Sequence, residues 1–176
     1  MAVLEACGGG TSAEHSAAES STTSTRATAE DFEAQASDFR NLHTMTKVRD
    51  FYVDNRLGHL EEAIAVAESP DGGEYPVGTI IQLVPTEAMI KRRAGFDPAT
   101  NDWEFFLLKV SEEGTVIEAR GTDGVVNSFG ANCASCHAEA DARFDFLCED
   151  DHGCAPLQIT KEIFTRLQEA DPRPLV

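Results

Sequence analysis

The apolar residues of this 176-residue chain change their spacing along its length. Between positions 29 and 69 they recur every three or four residues, which predicts helices at 29–46 and 57–69. The second of these segments holds enough Val and Ile to leave a strand open as the alternative. The segment Val48–Val53 between them has the composition of a strand.

Beyond Gly73 the apolar residues fall in short β-branched and aromatic runs separated by turn sequences. These runs predict four strands, joined in chain order by loops of hairpin length, at residues 77–84, 88–92, 103–110 and 115–119. A short helix at 133–140 and a final helix at 159–170 follow. The predicted fold class is α+β, with an antiparallel β-meander sheet and flanking helices.

The first 30 residues have the composition of a disordered tether, and we assign residues 31–176 to the folded domain. No large apolar residue occurs between Gly8 and Glu30. The sequence Val3-Leu4-Glu5-Ala6-Cys7 resembles the Leu-x-Ala-Cys cleavage box of bacterial lipoproteins, which predicts a lipid on Cys7 and a membrane tether. The alternative is a disordered N-terminus without a lipid, because the basic and apolar parts of a signal peptide do not precede this box.

The formal net charge of −17 narrows the classes of partner. A nucleic-acid-binding face needs positive charge, so we expect no nucleic-acid partner, and anionic lipid is disfavoured for the same reason. The charge permits basic protein partners, although solubility is the simpler interpretation of an acidic surface.

The five residues Cys133-Ala134-Ser135-Cys136-His137 carry the clearest chemistry in the chain. They match C-x-x-C-H, the attachment signature of a c-type haem. The two thiols each add to one vinyl group of the porphyrin, and the adjacent His coordinates the iron as the proximal ligand. We therefore predict one covalent haem c, held in a segment near the C-terminus. A redox dithiol or a bare metal site is the alternative.

Two further cysteines, Cys148 and Cys154, bracket a short acidic loop and are predicted to form a disulfide. The alternative is a metal site in which His152 joins them, although a fourth ligand is not evident. Covalent haem attachment takes place outside the bacterial cytoplasm, where disulfides also persist. Both features predict an exported protein, located in the periplasm or anchored as a lipoprotein at the outer membrane.

The chain resembles the cytochrome P-460 family, whose members are mostly β and carry one C-x-x-C-H near the C-terminus. The matching segments span about residues 38–155 and occur in the family's order. They are Met45–Val53, Tyr75–Ile81, Trp103–Phe106, Asn132–Ala140 and Asp145-Phe146.

The resemblance implies a mono-haem protein with an open distal side at the iron. Some members of the family oxidise hydroxylamine or bind nitric oxide and have a lysine linked to the haem edge. The related cytochrome c-prime-beta group lacks that link and binds small gases. The strand expected to hold the lysine has Gln82 and Leu83 here, so Lys91 is the nearest candidate for a cross-link and Lys109 the next.

The distal side of the iron decides between two functions. An open apolar side predicts binding of nitric oxide or a similar nitrogen-oxide ligand, with hydroxylamine oxidation as an enzymatic extension. A distal Met or His predicts a six-coordinate electron carrier, for which the candidates are Met45, Met89, His43, His59 and His152. A tethered subunit with a purely structural haem is the third alternative. We expect a redox partner protein, and a homodimer is left open.

The surroundings of the haem are also predicted in part. Phe105 and Phe106 alternate across one strand, so only one of them faces the haem side. Arg92, Arg93 and Arg120 are candidates for pairing with haem propionates, because the forked guanidinium suits carboxylates.

Overall fold

A computed structural model describes residues 32–157 and 159–175 of the chain. The predicted tether and the candidate lipidation site Cys7 lie outside these described residues. The described residues form three helices and six strands. The helices are α1 Leu60–Glu68, α2 Cys133–His137 and α3 Lys161–Glu169. The strands are β1 Thr46–Val48, β2 Phe51–Asn55, β3 Thr79–Gln82, β4 Glu87–Lys91, β5 Trp103–Ser111 and β6 Gly114–Gly121. Four short 3-10 turns complete the regular structure of this part, at Ala36–Asp38, Leu42–Thr44, Pro98–Thr100 and Ala142–Phe144.

The six strands form one antiparallel sheet in the order of the chain, β1-β2-β3-β4-β5-β6. The predicted α+β class with an antiparallel meander is therefore correct. The observed meander has six strands, two more than the four predicted for it. Strand β5 pairs with β4 and with β6, with a register shift between Leu107 and Leu108 in the second pairing. This long strand has a neighbour on each side and alternates its side chains between the two covered faces of the sheet.

One face of the sheet, called here the motif face, packs against α1 and α2. Its buried cluster includes Val53, Tyr75, Met89, Trp103 and Phe105, with Cys133 and Ala134 of α2 packed against it. The other face, called here the opposite face, is covered by the segment before β1. There Phe39 packs on Phe106 with ring centroids 4.8 Å apart, in a cluster with Ile80 and Ile90.

The helix predicted at 29–46 is wrong over the residues described. The chain makes two 3-10 turns instead, and β1 begins at Thr46. Polar side chains cap the N-terminal end of each turn, since Asp38 accepts from the Gln35 backbone and Asn41 accepts from the His43 backbone. Such side chains compete with a continuing helix for the backbone donors.

The strand predicted at Val48–Val53 is in fact a hairpin of β1 and β2. Val48 pairs with Phe51, so Arg49 and Asp50 form the turn, and Arg49 has a φ of 51°. The Arg49 side chain is ion-paired to Glu149 and donates to the Ala67 carbonyl oxygen at 2.7 Å. These contacts hold a residue that has no intrinsic preference for the left-handed region.

The predicted helix at 57–69 is confirmed as α1, and the strand alternative is wrong. None of the helices in the described part of the chain is long and apolar enough to cross a membrane.

Candidate functional site

Helix α2 carries both motif cysteines and is fixed to the sheet by the segment before it. The Cys133 backbone donates to the Val125 carbonyl oxygen at 2.9 Å, and Asn132 caps the helix by accepting from the Ser135 backbone at 2.8 Å. Cys133 and Cys136 are both free thiols and both partly exposed. Their side chains are thus unpaired and available to an attached group.

The two thiols lack the electrostatics of a redox dithiol. Burial, with the nearby charge of Glu87 as a second cause, raises the pKa of Cys133 to about 11. Burial also raises the pKa of the Cys136 thiol above its ordinary value. Reactive C-x-x-C cysteines have lowered pKa values, so these surroundings argue against the redox-dithiol alternative.

His137 is oriented by a backbone carbonyl. Its Nδ1 lies 2.7 Å from the Phe146 carbonyl oxygen, so Nδ1 must carry the proton and donate. Burial of the ring lowers the pKa of His137 below its ordinary value, which favours the neutral imidazole. A neutral ring with Nδ1–H leaves Nε2 as a lone-pair donor, and this is the form in which His binds a metal.

The Phe146 carbonyl is itself presented by an unusual stretch of backbone. Asp145 and Phe146 have φ values of 51° and 66°, so two consecutive residues other than glycine lie in the left-handed region. Each such residue costs roughly 1–2 kcal/mol relative to the right-handed conformation. The surrounding structure must therefore supply contacts that hold this turn.

Those contacts converge on Asp145, which is 2% exposed. Lys91 Nζ lies 2.7 and 2.9 Å from its two carboxylate oxygens, and the Tyr75 backbone donates to Oδ2 at 2.8 Å. Asn101 Nδ2 donates to Oδ1, and Trp103 Nε1 donates to the Asp145 carbonyl oxygen at 2.7 Å. We call this group, Lys91, Tyr75, Asn101, Trp103 and Asp145, the Asp145 clamp.

The predicted disulfide is confirmed, because Cys148 and Cys154 have their sulfurs 1.98 Å apart. The alternative metal site with His152 is wrong, since both thiols are consumed by this bond. Among residues 32–157 and 159–175, no group of three His, Cys, Asp or Glu side chains could hold a metal ion. The His152 ring stacks on Phe144 with centroids 3.6 Å apart, and its Nδ1 donates to the Leu147 carbonyl oxygen at 2.8 Å.

Met89 is the distal candidate that the structure places on the motif face. It is 3% exposed, pairs with Phe105 across β4 and β5, and belongs to the cluster against which Cys133 packs. Phe105, in turn, has its ring centroid 5.2 Å from that of His137. The expectation that one of the two phenylalanines faces the motif is confirmed, and it is Phe105.

Three other candidates lie away from the motif. Met45 packs into the cluster of the opposite face, and His43 meets the edge of the Tyr52 ring. His59 is exposed, and its Nδ1 lies 3.3 Å from Glu62.

The arginine candidates for haem propionates need a correction as well. Arg92 and Arg120 both pair with Glu104 on the opposite face, so they are directed away from α2. Arg93 is exposed at the end of β4.

Lys91 remains a candidate for a haem cross-link only as a prediction. Its ammonium group is engaged by Asp145 and by the Asn101 carbonyl oxygen at 2.7 Å, inside the Asp145 clamp. The ion pair places Lys91 on the motif face but gives its amine a partner already. The described structure therefore assigns Lys91 a contact that the sequence did not indicate.

The residues present fit a covalent haem c. Two unpaired thiols three positions apart and an adjacent neutral imidazole with Nε2 uncommitted are the donor set that this group needs. Metal-binding histidines usually donate their other ring N–H to an acceptor such as a backbone carbonyl, as His137 Nδ1 does to Phe146.

No protein-family model, no curated protein and no solved structure matches this chain. The resemblance to the cytochrome P-460 family stays a prediction.

Proposed function

We propose that this chain is an exported mono-haem c-type cytochrome in which Cys133 and Cys136 bind the porphyrin and His137 is the proximal iron ligand. The observation that carries the proposal is the His137 hydrogen bond to the Phe146 carbonyl oxygen, at 2.7 Å, beside two free thiols on one short helix. The disulfide between Cys148 and Cys154 supports a location outside the bacterial cytoplasm, in the periplasm or at the outer membrane.

We propose further that the protein binds a small nitrogen-oxide ligand such as nitric oxide. When bound, the haem supplies an iron with an exchangeable coordination position and a one-electron couple. His137 would coordinate the iron, and the Phe146 carbonyl fixes the His137 tautomer. Phe105 and Met89 cover the sheet surface beside the motif with apolar groups, and such a surface at the iron would exclude water and favour a neutral diatomic ligand.

A second function, that of a six-coordinate electron carrier, is favoured by one observation. Met89 is a buried thioether on the motif face, in the same cluster as Cys133. Met89 as a second protein ligand of the iron would raise the reduction potential and exclude added ligands. In this case a redox partner protein, rather than a gas, would be the physiological partner.

The absorption spectrum of the purified full-length protein distinguishes these functions. We expect a covalently bound haem, a high-spin ferrous spectrum, and a new spectrum on adding nitric oxide or carbon monoxide. A low-spin spectrum that does not respond to either gas would refute the open site and support the electron carrier. The variant Met89→Leu then separates the two again, because it becomes ligand-responsive only if Met89 is the iron ligand.

Two substitutions test the haem assignment itself. His137→Ala should abolish proximal ligation, and Cys133→Ala with Cys136→Ala should abolish covalent attachment. The double variant Cys148→Ala with Cys154→Ala is the matched control, since it also removes two cysteines and should keep the haem. A chain without covalent haem in the wild type, expressed with a haem-attachment system, would refute the proposal.

A further inference from the structure

We propose that the Asp145 clamp is a positioning device that sets the strength of the His137–iron bond and hence the reduction potential of the iron. The inference rests on the proposed function and concerns residues whose hydrogen bonds converge on Asp145 and not on the motif thiols or Nε2 of His137. The Lys91 ammonium binds the Asp145 carboxylate, Asp145 is followed by Phe146, and the Phe146 carbonyl oxygen accepts from His137 Nδ1.

The Phe146 carbonyl cannot hold its direction without support from other residues. Its residue has a φ of 66°, and a bulky side chain in the left-handed region is rare. Released from its contacts, this segment would return to a right-handed or extended backbone, and the carbonyl would turn away from His137. The direction of the Phe146 carbonyl oxygen therefore depends on the residues that bind Asp145.

The contacts of the clamp hold Asp145 rigidly. Donors reach Asp145 from three separate parts of the chain: Lys91 on β4, Asn101 and Trp103 around the start of β5, and the Tyr75 backbone. Lys91 is 2% and Trp103 is 0% exposed, so water does not compete for the bonds that these two residues make to Asp145. Charge-assisted hydrogen bonds at a buried carboxylate are the strongest kind available to a protein.

A rigidly held Phe146 carbonyl would act on the iron through the His137 ring. A hydrogen bond from Nδ1–H to an acceptor makes the imidazole a more basic ligand, and a more basic ligand stabilises ferric over ferrous iron. A well-aimed Phe146 carbonyl thus lowers the reduction potential. Loosening the clamp weakens this hydrogen bond and raises the potential.

The sheet offers a matched control for the clamp. Arg92 and Glu104, the sequence neighbours of Lys91 and Trp103, form an ion pair on the opposite face with side chains 4% and 5% exposed. This pair is as buried as Lys91–Asp145 but has no connection to His137. Breaking it with Glu104→Gln should lower thermal stability without changing the iron.

The experiment compares the full-length haem protein as wild type, Asp145→Asn, Trp103→Phe and Glu104→Gln by redox titration and by resonance Raman of the ferrous Fe–His stretch. Asp145→Asn should shift the ferric–ferrous equilibrium roughly tenfold toward ferrous, equivalent to about 59 mV for a one-electron couple. The Fe–His stretch should fall in frequency. Trp103→Phe removes the indole donor to the Asp145 carbonyl oxygen and to Oδ1. It leaves the Lys91, Asn101 and Tyr75 donors in place, so it should shift both readouts less, in the same direction.

Glu104→Gln should change the melting temperature and neither iron readout. Equal potential shifts in Asp145→Asn and Glu104→Gln, or no shift in Asp145→Asn, would overturn the positioning role. If Asp145→Asn does not fold, Trp103→Phe decides, because an unchanged potential in that variant also overturns it.

A second measurement separates this inference from the proposed function. Nitrogen-15 NMR of the full chain before haem attachment reports the His137 tautomer, which should be Nδ1–H in the wild type and mixed in Asp145→Asn. A wild type that never holds haem but shows this difference would refute the cytochrome and leave the clamp intact. A mixed tautomer in the wild type would refute the clamp.

Discussion

Each face of the sheet buries an ion pair, and the consecutive residues Lys91 and Arg92 supply the cations of these two pairs. Lys91 and Arg92 are consecutive, as are Trp103 and Glu104, yet their side chains point to opposite sides. On the opposite face Arg92 pairs with Glu104, twelve positions away on the adjacent strand. On the motif face Lys91 pairs with Asp145, 54 positions away and beyond the candidate haem motif.

This difference indicates what each pair contributes. The Arg92–Glu104 pair joins strands that are already hydrogen-bonded, so it adds to a local contact. The Lys91–Asp145 pair fastens the segment after α2 onto the sheet and fixes the backbone that binds His137. Ion pairs of equal burial can therefore have unequal roles, and the partner's place in the chain tells them apart.

The largest expected effect comes from replacing the two phenylalanines of β5, which tests the contrast between the two faces. Phe105 is 2% and Phe106 is 1% exposed, and each should cost about 3–5 kcal/mol of unfolding free energy when replaced by Ala. Denaturant unfolding of the full-length protein measures both losses. Under the proposed function, only Phe105→Ala should also change the haem spectrum and the affinity for nitric oxide, because its ring lies against His137. A spectral change of equal size in Phe106→Ala would contradict the division between the faces.

The disulfide gives an intermediate effect. The bond closes a loop with a sequence separation of six, so Cys148→Ala with Cys154→Ala should lower the unfolding free energy by about 2 kcal/mol. Chemical denaturation with and without reductant measures it. The wild type should lose the same stability on reduction, whereas the double variant should not respond. If the unfolding free energy of the wild type does not change under conditions that reduce the bond, the disulfide does not stabilise the fold.

The smallest effect concerns Glu87, on β4 beside the motif. Burial raises the pKa of the Glu87 carboxyl, so the folded protein keeps this proton to a higher pH than the unfolded chain. Stability is then lost as the pH rises through the raised folded pKa, and none is lost well below the unfolded pKa. Glu87→Gln should therefore be more stable than the wild type at pH 8, by less than about 1 kcal/mol, and equal to it near pH 4.

Thermal unfolding across this pH range measures the Glu87 effect, with Glu112→Gln at the exposed turn before β6 as the control. The control should show no difference that grows with pH. If the stability of Glu87→Gln relative to the wild type instead falls as the pH rises, the prediction is contradicted.

Much of the sheet could be predicted from the sequence because its strands are neighbours in the chain. Runs such as Val77–Val84 and Trp103–Val110 end at strong turn sequences, so their pairing needs no long-range information. The hairpin turn at Arg49 gave no such signal, because its positive φ is supported by Glu149 and Ala67, which lie far along the chain. The first helix was wrong since apolar spacing does not register the capping side chains of Asp38 and Asn41.

The candidate site was predictable in its ligands and not in its surroundings. C-x-x-C-H is a local pattern, so Cys133, Cys136 and His137 could be assigned without a structure. Asp145-Phe146 was singled out only as part of a resemblance, and nothing in the spacing shows that Lys91 meets Asp145. Tyr75 and Trp103 were missed as donors for the same reason, since each contact depends on how distant segments pack.

The chain-order meander has a consequence for assembly. Each strand pairs with its immediate neighbour in the chain, so the sheet can form from local hairpins with little loop-closure cost. The motif segment gains its main anchor only when Asp145 closes a long loop onto Lys91. We therefore expect α2 to dock after the sheet has formed. Until that late closure both motif thiols would remain accessible, and under the proposed function this is the stage at which they would react with the porphyrin.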